Sequence, residues 1–539
     1  MKKPSILLIL LVISCFASAQ HTTTVADNLS VYNDILRTLD INYVDTLDYD
    51  DLLNNSVDYM LHKIDPYTVY IPKSETEDLR FMTTGSYGGI GSIITKLNDG
   101  VYISDPYEGM PAQRAGLRAG DKIIEVDGKA AKDKNTSDVS DMLRGKPKSL
   151  IKIKVERLGE KKPLTFEFER EKIQINPVTY YKVVAPQTGY VIFNEFTENS
   201  AIELKKAIET MRQQDSITSL IIDLRGNGGG LINEAVQIVG FFVPKGTTIV
   251  STKGRKPSSN YKHKTTLDPL YPDMKLAVLV NSSSASASEI VAGSIQDLDR
   301  GILIGQRTFG KGLVQTVKPI ANDGHLKITT AKYYIPSGRC IQAIDYSHKN
   351  ADGSVGRVPD SLTHEFKTAK GRIVRDGGGV SPDIEIEEDD KINICYYLMK
   401  DQLFFKYANE YVLHHPQIAK PQDFYLTNDD IADFERFINE QKFTYRTESS
   451  KSLKEVLDVL KLEGLDSIAK PEFDALDAKL NPPIHDALLQ NIDDVKSFLG
   501  SEIVKRYYYG KGSTEYLMKT DKELKRAIEE LSHQFIDLE

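Results

Sequence analysis

Tryptophan is absent from this chain of 539 residues, cysteine occurs only three times, and histidine occurs ten times. So few cysteines exclude the dense disulfide framework of a small secreted domain, although Cys340 and Cys395 could pair in an oxidising compartment. The histidines are scattered without metal-ligand spacing, so we expect no metal site and no cofactor. The net charge is −9, from 68 basic and 77 acidic residues, and no basic stripe indicates nucleic-acid binding.

Apolar runs long enough to cross a bilayer are also missing. The N-terminus has lysines at positions 2 and 3, an apolar run at residues 6–13, and small residues that end at Ala19. This pattern predicts a signal peptide over residues 1–19 and therefore export, to the periplasm in a bacterium. In an alternative interpretation, residues 12–15 form a lipoprotein box with lipidated Cys15, which is the only membrane attachment that we expect.

A hydroxyl-rich run at residues 282–288 is the most informative stretch of the chain. It follows an apolar, strand-like segment at residues 276–280 and precedes a helix-like pattern at residues 289–295. A serine on such a strand-to-helix turn is exposed and lies near the positive end of a helix dipole, which favours a nucleophile. Serine runs are, however, more often ordinary loops.

Lys311 lies between two glycines after a second short apolar run, residues 302–304. A serine nucleophile needs a base, and lysine is a base only when it is neutral. Burial would therefore have to lower the lysine pKa from about 10.4 toward roughly 7–8. The alternative is a Gly-Lys-Gly turn with a solvated lysine.

Glycines follow another buried strand at residues 219–224 and precede a predicted helix at residues 231–242. Glycine N–H groups at the junction of a strand and a helix can bind an anion. A phosphate loop is excluded here because no Gly-Lys-Ser or Gly-Lys-Thr follows.

Together these motifs resemble the C-terminal processing (tail-specific) peptidases of family S41. The matching segments are Ser-Ala-Ser-Ala-Ser-Glu-Ile at 284–290, Phe-Gly-Lys-Gly-Leu-Val-Gln at 309–315 and Asp-Leu-Arg-Gly-Asn-Gly-Gly-Gly at 223–230. The resemblance implies that Ser286 is the nucleophile, that Lys311 is the base and that Gln315 orients the lysine. Asp297 matches a supporting aspartate of some members, although a helix-end carboxylate that faces Arg300 is an equal alternative.

The same resemblance implies an oxyanion hole made of backbone N–H groups. One belongs to Ala287 and the other to Gly228 or Gly229. The family usually has proline where Gly228 stands, so the choice between the two glycines stays open.

Residues 85–175 resemble a PDZ domain, which binds chain ends. Gly88 to Gly91 is similar to its carboxylate-binding loop, and residues 115–128 are similar to the helical turn, strand and tight turn of its signature. The resemblance implies substrate binding at Gly89, Ile90 and Gly91, with the peptide added as a strand to the sheet edge. Gly89-Ile90-Gly91 departs from the common Gly-Leu-Gly-Phe.

The predicted fold is α/β, with a ClpP/crotonase-like catalytic core, an inserted PDZ domain and helical extensions at both ends. Residues 27–80 have apolar side chains at three- and four-residue steps, and a helix should end at Asp65-Pro66-Tyr67. Residues 346–377 are expected to be a loop or an excursion from the core. The predicted regions are a signal peptide (1–19), an N-terminal helical region (20–84), the PDZ domain (85–175), the Ser-Lys peptidase core (176–390) and a C-terminal helical domain (391–539).

The function that the resemblance implies is a serine endopeptidase that cleaves exported proteins near their C-termini. Its partners would be proteins or peptides with unstructured C-termini, and a homodimer is open. One alternative is a non-catalytic PDZ scaffold, against which intact Ser286, Lys311 and Gln315 argue. The other is a crotonase-like acyl-CoA enzyme, against which the signal peptide argues because CoA is cytosolic.

Overall fold

This computed structural model describes residues 5–346, 356–387 and 392–532, with side chains described from residue 24 onward. The predicted signal peptide with Cys15 lies before that point, so its side chains are outside the described residues. Within the described part of the chain, none of the helices combines the length and the hydrophobicity that a membrane crossing requires. The chain divides into two compact units.

The smaller unit contains residues 5–73 and 316–328. Its elements are helices α1 (Ser5–Asn42) and α2 (Tyr49–His62) and strand β1 (Val69–Ile71). The side chain of Asp48 caps α2 by accepting from the N–H groups of residues 50 and 51. α2 ends at His62, directly before the predicted stop at Asp65-Pro66-Tyr67, and the carboxylate of Asp65 holds a turn by accepting from the backbone of Tyr67 and Thr68. β1 then pairs antiparallel with residues 325–327.

The larger unit contains residues 74–315 and 329–532 and begins with a sheet-rich segment. Its elements are α3 (Thr76–Thr84), β2 (Ser86–Gly89), β3 (Ser92–Leu97), β4 (Gly100–Pro106), α4 (Pro111–Arg114), β5 (Lys122–Val126), β6 (Lys129–Ala130), α5 (Thr136–Leu143), β7 (Leu150–Glu156), β8 (Leu164–Glu169) and β9 (Glu171–Gln174). Strands pair in the order β3-β4-β5-β7-β8, so β3 is an edge strand. Alternate residues of β7 are buried, which places one face of this sheet on a core and the other outside.

A second, mostly parallel sheet forms the centre of the larger unit. The elements of this region are β10 (Val178–Ala185), β11 (Thr188–Phe193), α6 (Ser200–Asp215), β12 (Ser219–Asp223), α7 (Ile232–Gly240), β13 (Thr248–Gly254), β14 (Tyr261–Lys264), β15 (Lys275–Val280), α8 (Ala287–Asp297), β16 (Ile302–Gly305), β17 (Leu313–Pro319), β18 (His325–Tyr334), β19 (Glu365–Lys367), β20 (Ile373–Arg375) and β21 (Ile384–Glu385). Strands pair in the order β10-β11-β12-β15-β16-β21, and all but β10 are parallel. Every residue of β12 is buried, as expected of a strand covered on both faces.

The segment that was expected to be a loop or an excursion contains a hairpin. β19 and β20 pair antiparallel within residues 346–377, so this part is an excursion with strands of its own. The hairpin is stabilised by tertiary contacts of its turn, since the N–H of Lys370 donates to the Asp299 carboxylate and the Arg372 guanidinium contacts Asp299 and Asp383. Because polar residues and glycines are typical of loops, the composition of this segment did not indicate the hairpin.

The rest of the chain is helical, as predicted. Its elements are α9 (Ile394–Lys400), α10 (Leu403–His414), α11 (Asn428–Glu440), α12 (Glu448–Glu463), α13 (Asp466–Leu480), α14 (Ile484–Gln490), α15 (Ile492–Leu517) and α16 (Lys522–Ser532). Thr427 and Asp430 form the capping box that opens α11. Tyr507 and Tyr508 of α15 pack against the core of this helical region, and their hydroxyls donate to the carbonyls of residues 415 and 418. The mixed α/β architecture with a helical C-terminus is thus confirmed, and the ClpP/crotonase-like class of the core stays a prediction.

Candidate active site

Ser286 lies on the turn between β15 and α8, as its sequence context predicted. Its backbone has φ 57° and ψ −114°, a conformation that non-glycine residues rarely adopt. The neighbours Ala285 and Ala287 are buried, whereas Ser286 is only half-buried. A strained turn that leaves one hydroxyl accessible is typical of a nucleophile.

Lys311 follows β16 in a loop whose path requires glycine. Gly310 has φ +88°, and a Cβ there would lie 2.3 Å from the Cβ of Ala343. A Cβ on Gly312 would lie 2.8 Å from the backbone nitrogen of Gln342. The glycines on both sides therefore let the Lys311 loop pack tightly against residues 342 and 343, and the lysine itself is half-buried.

The fully buried carboxylate of Glu289 joins the two turns. Oε2 accepts from the N–H of Ser286 at 2.8 Å and from the N–H of Lys311 at 2.9 Å. Oε1 accepts from the N–H of Gly310 at 2.7 Å and from Oγ1 of Thr308 at 2.6 Å. Burial raises the pKa of the Glu289 carboxyl, while these four donors act in the opposite direction. One side chain thus brings the backbones of Ser286 and Lys311 together.

Tyr333 of β18 reinforces this arrangement from the other side of the backbone. Its hydroxyl lies 2.6 Å from the carbonyl oxygen of Lys311 and 3.1 Å from that of Ser286. The ring is almost fully buried, so the hydroxyl has a fixed position. The two residues are therefore connected through both their N–H groups and their carbonyls.

The glycine loop after β12 also reaches the Ser286 turn. A Cβ on Gly229 would lie 2.7 Å from both the Ser286 Cβ and the Ala285 carbonyl oxygen. The N–H of Gly229 donates to Oδ1 of Asn227, so this N–H already has an acceptor. Gly228 is exposed, and its N–H has no acceptor among the residues that the structure describes. Ala287 is the first residue of α8, where an N–H has no acceptor within the helix.

Two further predicted site residues, Gln315 and Asp297, lie close in sequence to Lys311 and Ser286. Gln315 is half-buried in β17, and its side-chain amide donates to Oγ1 of Thr329 at 3.2 Å. Asp297 is buried and pairs with Arg339 at 2.8 Å, not with Arg300 as the alternative had it. Burial raises the pKa of the Asp297 carboxyl, and the Arg339 charge opposes this shift.

One of the three predicted peptide-binding residues, Ile90, lines a small cavity beside the edge strand β3. The cavity has a volume of 160 Å³, and residues of α5 also line it. Ile90 is buried and precedes β3, which begins at Ser92. Gly89 ends β2, and Gly91 has φ +72°, where a Cβ would lie 2.5 Å from Met110. Arg144 also lines this cavity and supplies a positive charge.

Four residues of this site were missed by the sequence reasoning: Glu289, Thr308, Tyr333 and Asn227. Glu289 carried a usable signal, because a glutamate three residues after a serine at a helix start is a capping-box pattern. Asn227 lay inside a recognised motif, but only the glycines around it were considered. Thr308 and Tyr333 reach the site through tertiary folding and carried no local signal.

No cluster of three or more metal-ligating side chains occurs within the described residues. Cys340 and Cys395 are both free thiols, so they do not form the disulfide that the sequence left open.

Comparison with known proteins identifies the families to which parts of the chain are similar. Three family descriptions match: Peptidase family S41 at residues 187–348, PDZ domain at residues 102–157, and Probable PDZ-protease, C-terminal helical domain, at residues 394–531. The matched regions define a PDZ-containing peptidase with a helical C-terminal domain.

Curated relatives refine the class. The carboxy-terminal-processing protease of Bartonella bacilliformis is 36% identical over 319 residues, which are 59% of this chain and 73% of the relative. A probable CtpA-like serine protease of Staphylococcus aureus is 33% identical over 315 residues, which are 58% of this chain and 62% of that relative. The chain belongs to peptidase family S41, among the carboxy-terminal-processing proteases, which confirms the predicted family.

Solved structures of similar proteins include the photosystem II D1 C-terminal processing protease. That protein is 29% identical, with a TM-score of 0.37, and the match covers 65% of this chain and 86% of that one. A peptide-bound PDZ domain of the carboxy-terminal protease of Vibrio cholerae is 28% identical over 17% of this chain and 99% of that one, with a TM-score of 0.16.

Replacement of Glu289 by glutamine is expected to lower both stability and peptidase activity. The amide keeps the shape of the side chain but replaces one acceptor oxygen with an NH₂ group, so two of the four donors lose their acceptor. Each buried donor left unpaired costs about 1–3 kcal/mol, and a small displacement of Ser286 from Lys311 lowers kcat by about 10²-fold. Thermal unfolding and tail-peptide cleavage measure the two effects.

Glu234→Gln is the matched control. Glu234 is also buried and accepts from the backbone N–H groups of Asn199 and Ala201 at the start of α6. This variant should be less stable but keep the kcat of the folded enzyme. Equal kcat for Glu289→Gln and the control would show that Glu289 does not position the pair.

Proposed function

We propose that this protein is a serine endopeptidase that cleaves exported proteins near their C-termini, with Ser286 as nucleophile and Lys311 as general base. The observation that carries the proposal is the Glu289 carboxylate, which accepts from the backbone N–H groups of both residues. The two residues lie 25 positions apart in the sequence, and a shared buried acceptor fixes the spacing of their turns. Membership of a peptidase family supports the same assignment.

The reaction begins when the neutral amine of Lys311 takes the proton of the Ser286 hydroxyl. The oxygen attacks the scissile carbonyl, and the resulting oxyanion accepts from the N–H groups of Ala287 and Gly228. Gly228 is preferred to Gly229 because the Gly229 N–H already donates to Asn227. Lys311 then gives the proton to the nitrogen of the scissile amide, the C–N bond breaks, and the amine product leaves. Water finally hydrolyses the acyl-enzyme.

The supporting residues act through backbone and side-chain contacts. Gln315 orients the amine of Lys311 from the adjoining strand. Asp297, paired with Arg339, stabilises the turn at residues 336–339, since its carboxylate also accepts from the N–H of Ser337. Asp297 is thus a positioning residue that fixes the turn at residues 336–339 and does not touch the substrate.

The PDZ domain captures the substrate tail. The edge of β3 offers unpaired backbone groups to an extended peptide, and the 160 Å³ cavity accepts an apolar end side chain. Ile90 contributes to the apolar wall, and Gly89 and Gly91 shape the loop that receives the terminal carboxylate. The substrates are therefore exported proteins with unstructured, apolar C-termini.

Trapping of the acyl-enzyme tests this proposal. A tail peptide that ends in a free carboxylate should acylate Ser286, and rapid acid quench followed by peptide mapping should locate the acyl group there. The same peptide with a C-terminal amide should react with a kcat/KM lower by about tenfold, because a charge-assisted contact to the carboxylate is lost. An acyl group on another residue would overturn the nucleophile, and equal rates for both peptides would overturn tail capture.

A further inference from the structure

Helix α16 covers the face of the central sheet opposite α6, α7 and α8. It packs on β12, β15 and β16. The buried apolar residues at this contact are Ile221, Ala277, Leu279, Ile302 and Ile304 on the strands and Leu524, Ala527 and Leu531 on the helix. The helix begins more than a hundred residues after the end of the predicted peptidase core at residue 390, yet it completes the burial of the core sheet.

The start of α16 also brings two carboxylates to Arg225. Nη2 of Arg225 lies 2.7 Å from Oδ2 of Asp521, and Nη1 lies 3.3 Å from Oε2 of Glu523. A local carboxylate, Asp223, contacts Nη2 at 2.6 Å. The guanidinium is mostly buried, and ion pairs of this kind are stronger than exposed ones because water screens them less.

Arg225 directly precedes residues 226–230, the loop that carries the proposed oxyanion donor Gly228 (the oxyanion loop). Gly226 follows directly, and its N–H donates to Oδ1 of Asn281 at 3.0 Å. Asn227 is tied to the carbonyl of Phe193 at 2.7 Å. Gly228, whose N–H is exposed, lies three residues after Arg225. The conformation of this loop is therefore fixed on one side by the guanidinium and on the other by the amide side chain of Asn227.

We propose that α16 positions the oxyanion loop, and that Asp521, with Glu523, is the residue through which it does so. Asp521 contacts the guanidinium of Arg225 from the start of α16, whereas Asp223 contacts it from the end of β12. Without Asp521 the side chain keeps only its local partner and the weaker contact to Glu523, and the Gly228 N–H loses its fixed direction. This inference rests on the proposed function, since it assigns a positioning role in the same reaction.

Asp521→Asn is the decisive variant because it separates charge from helix capping. The Asp521 carboxylate also accepts from the N–H of Leu524 at 2.8 Å, and asparagine caps a helix equally well. α16 should therefore stay folded while the ion pair is lost. Loss of a whole oxyanion donor lowers kcat by about 10²–10³-fold, so its misdirection should lower kcat by about tenfold or more with KM unchanged.

Three further variants complete the experiment. Asp521→Glu restores the charge and should recover most of kcat, whereas Arg225→Lys removes the forked geometry and should show the same loss as Asp521→Asn. Glu529→Gln makes the same chemical change on the exposed side of α16 and should leave kcat unchanged. Thermal unfolding of each variant confirms that the fold is kept.

The rate of Ser286 acylation distinguishes this inference from the proposed function. If the unmodified enzyme forms no acyl group on Ser286, the proposed function fails and this inference fails with it. If the unmodified enzyme acylates Ser286 and Asp521→Asn does so at the same rate, the positioning role of α16 alone is overturned. A slower acylation in Asp521→Asn and Arg225→Lys, with recovery in Asp521→Glu, supports it.

Discussion

Ser286→Ala is expected to abolish cleavage of an unstructured tail, with a fall in kcat of about 10⁶-fold as for other serine peptidases that lose their nucleophile. The hydroxyl oxygen is the only heavy atom removed, and alanine adopts the positive φ of this turn at a similar cost in free energy. The backbone N–H that donates to Glu289 stays in place, so thermal unfolding should be unchanged. Product formation measured by mass spectrometry over hours detects the residual rate.

Ser283→Ala is the control for this change. Ser283 belongs to the same serine run and is exposed, and its contact to Asn281 is made by the backbone N–H, which alanine keeps. Its kcat should equal that of the unmodified enzyme. Cleavage by Ser286→Ala at more than about one part in a hundred of the normal rate would rule out Ser286 as the nucleophile, since general base and oxyanion contributions alone do not sustain it.

Lys311→Ala is expected to reduce kcat by about 10⁴-fold, the upper range for loss of a positioned general base. The tight packing of Gly310 and Gly312 and the contacts of the Lys311 backbone to Glu289 and Tyr333 do not involve the side chain, so the loop should keep its conformation. Because the truncation leaves space at the site, a small primary amine such as methylamine should restore part of the rate in proportion to its concentration.

Lys318→Ala removes an exposed lysine on β17, the strand that follows the Lys311 loop, and should have no effect on kcat. Binding of a tail peptide to Lys311→Ala, measured by fluorescence polarisation, should match that of the unmodified protein. Unchanged kcat for Lys311→Ala, or a failure of every small amine to raise its rate, would contradict a base role for this amine.

The central region was predictable because its signals are local. Residues 220–222 and 224 are apolar, which in a strand indicates burial on both faces, and β12 is fully buried. The serine run at the end of β15 likewise predicted the turn at Ser286. These features depend on the composition and order of neighbouring residues, so no knowledge of the fold was needed.

Other features depend on tertiary contacts that a sequence does not display. Asp297 has Arg300 three residues away, but its observed partner is Arg339, which approaches from a later turn. Tyr333 reaches the Lys311 carbonyl from β18. The contact of Glu289 with Ser286 had a local signal, the capping-box pattern, but the donors from residues 308, 310 and 311 reach the carboxylate only through tertiary folding. Residue type alone did not identify these groups.

The long separation between Arg225 and its carboxylate partner has a consequence for biosynthesis. Arg225 leaves the ribosome 296 residues before Asp521, which at about 5–20 residues per second corresponds to tens of seconds. During that interval the nascent chain has its serine and lysine but not the helix that completes the sheet. Under the positioning role proposed for α16, we therefore expect full proteolytic competence only after α16 has been synthesised and has packed on the central sheet.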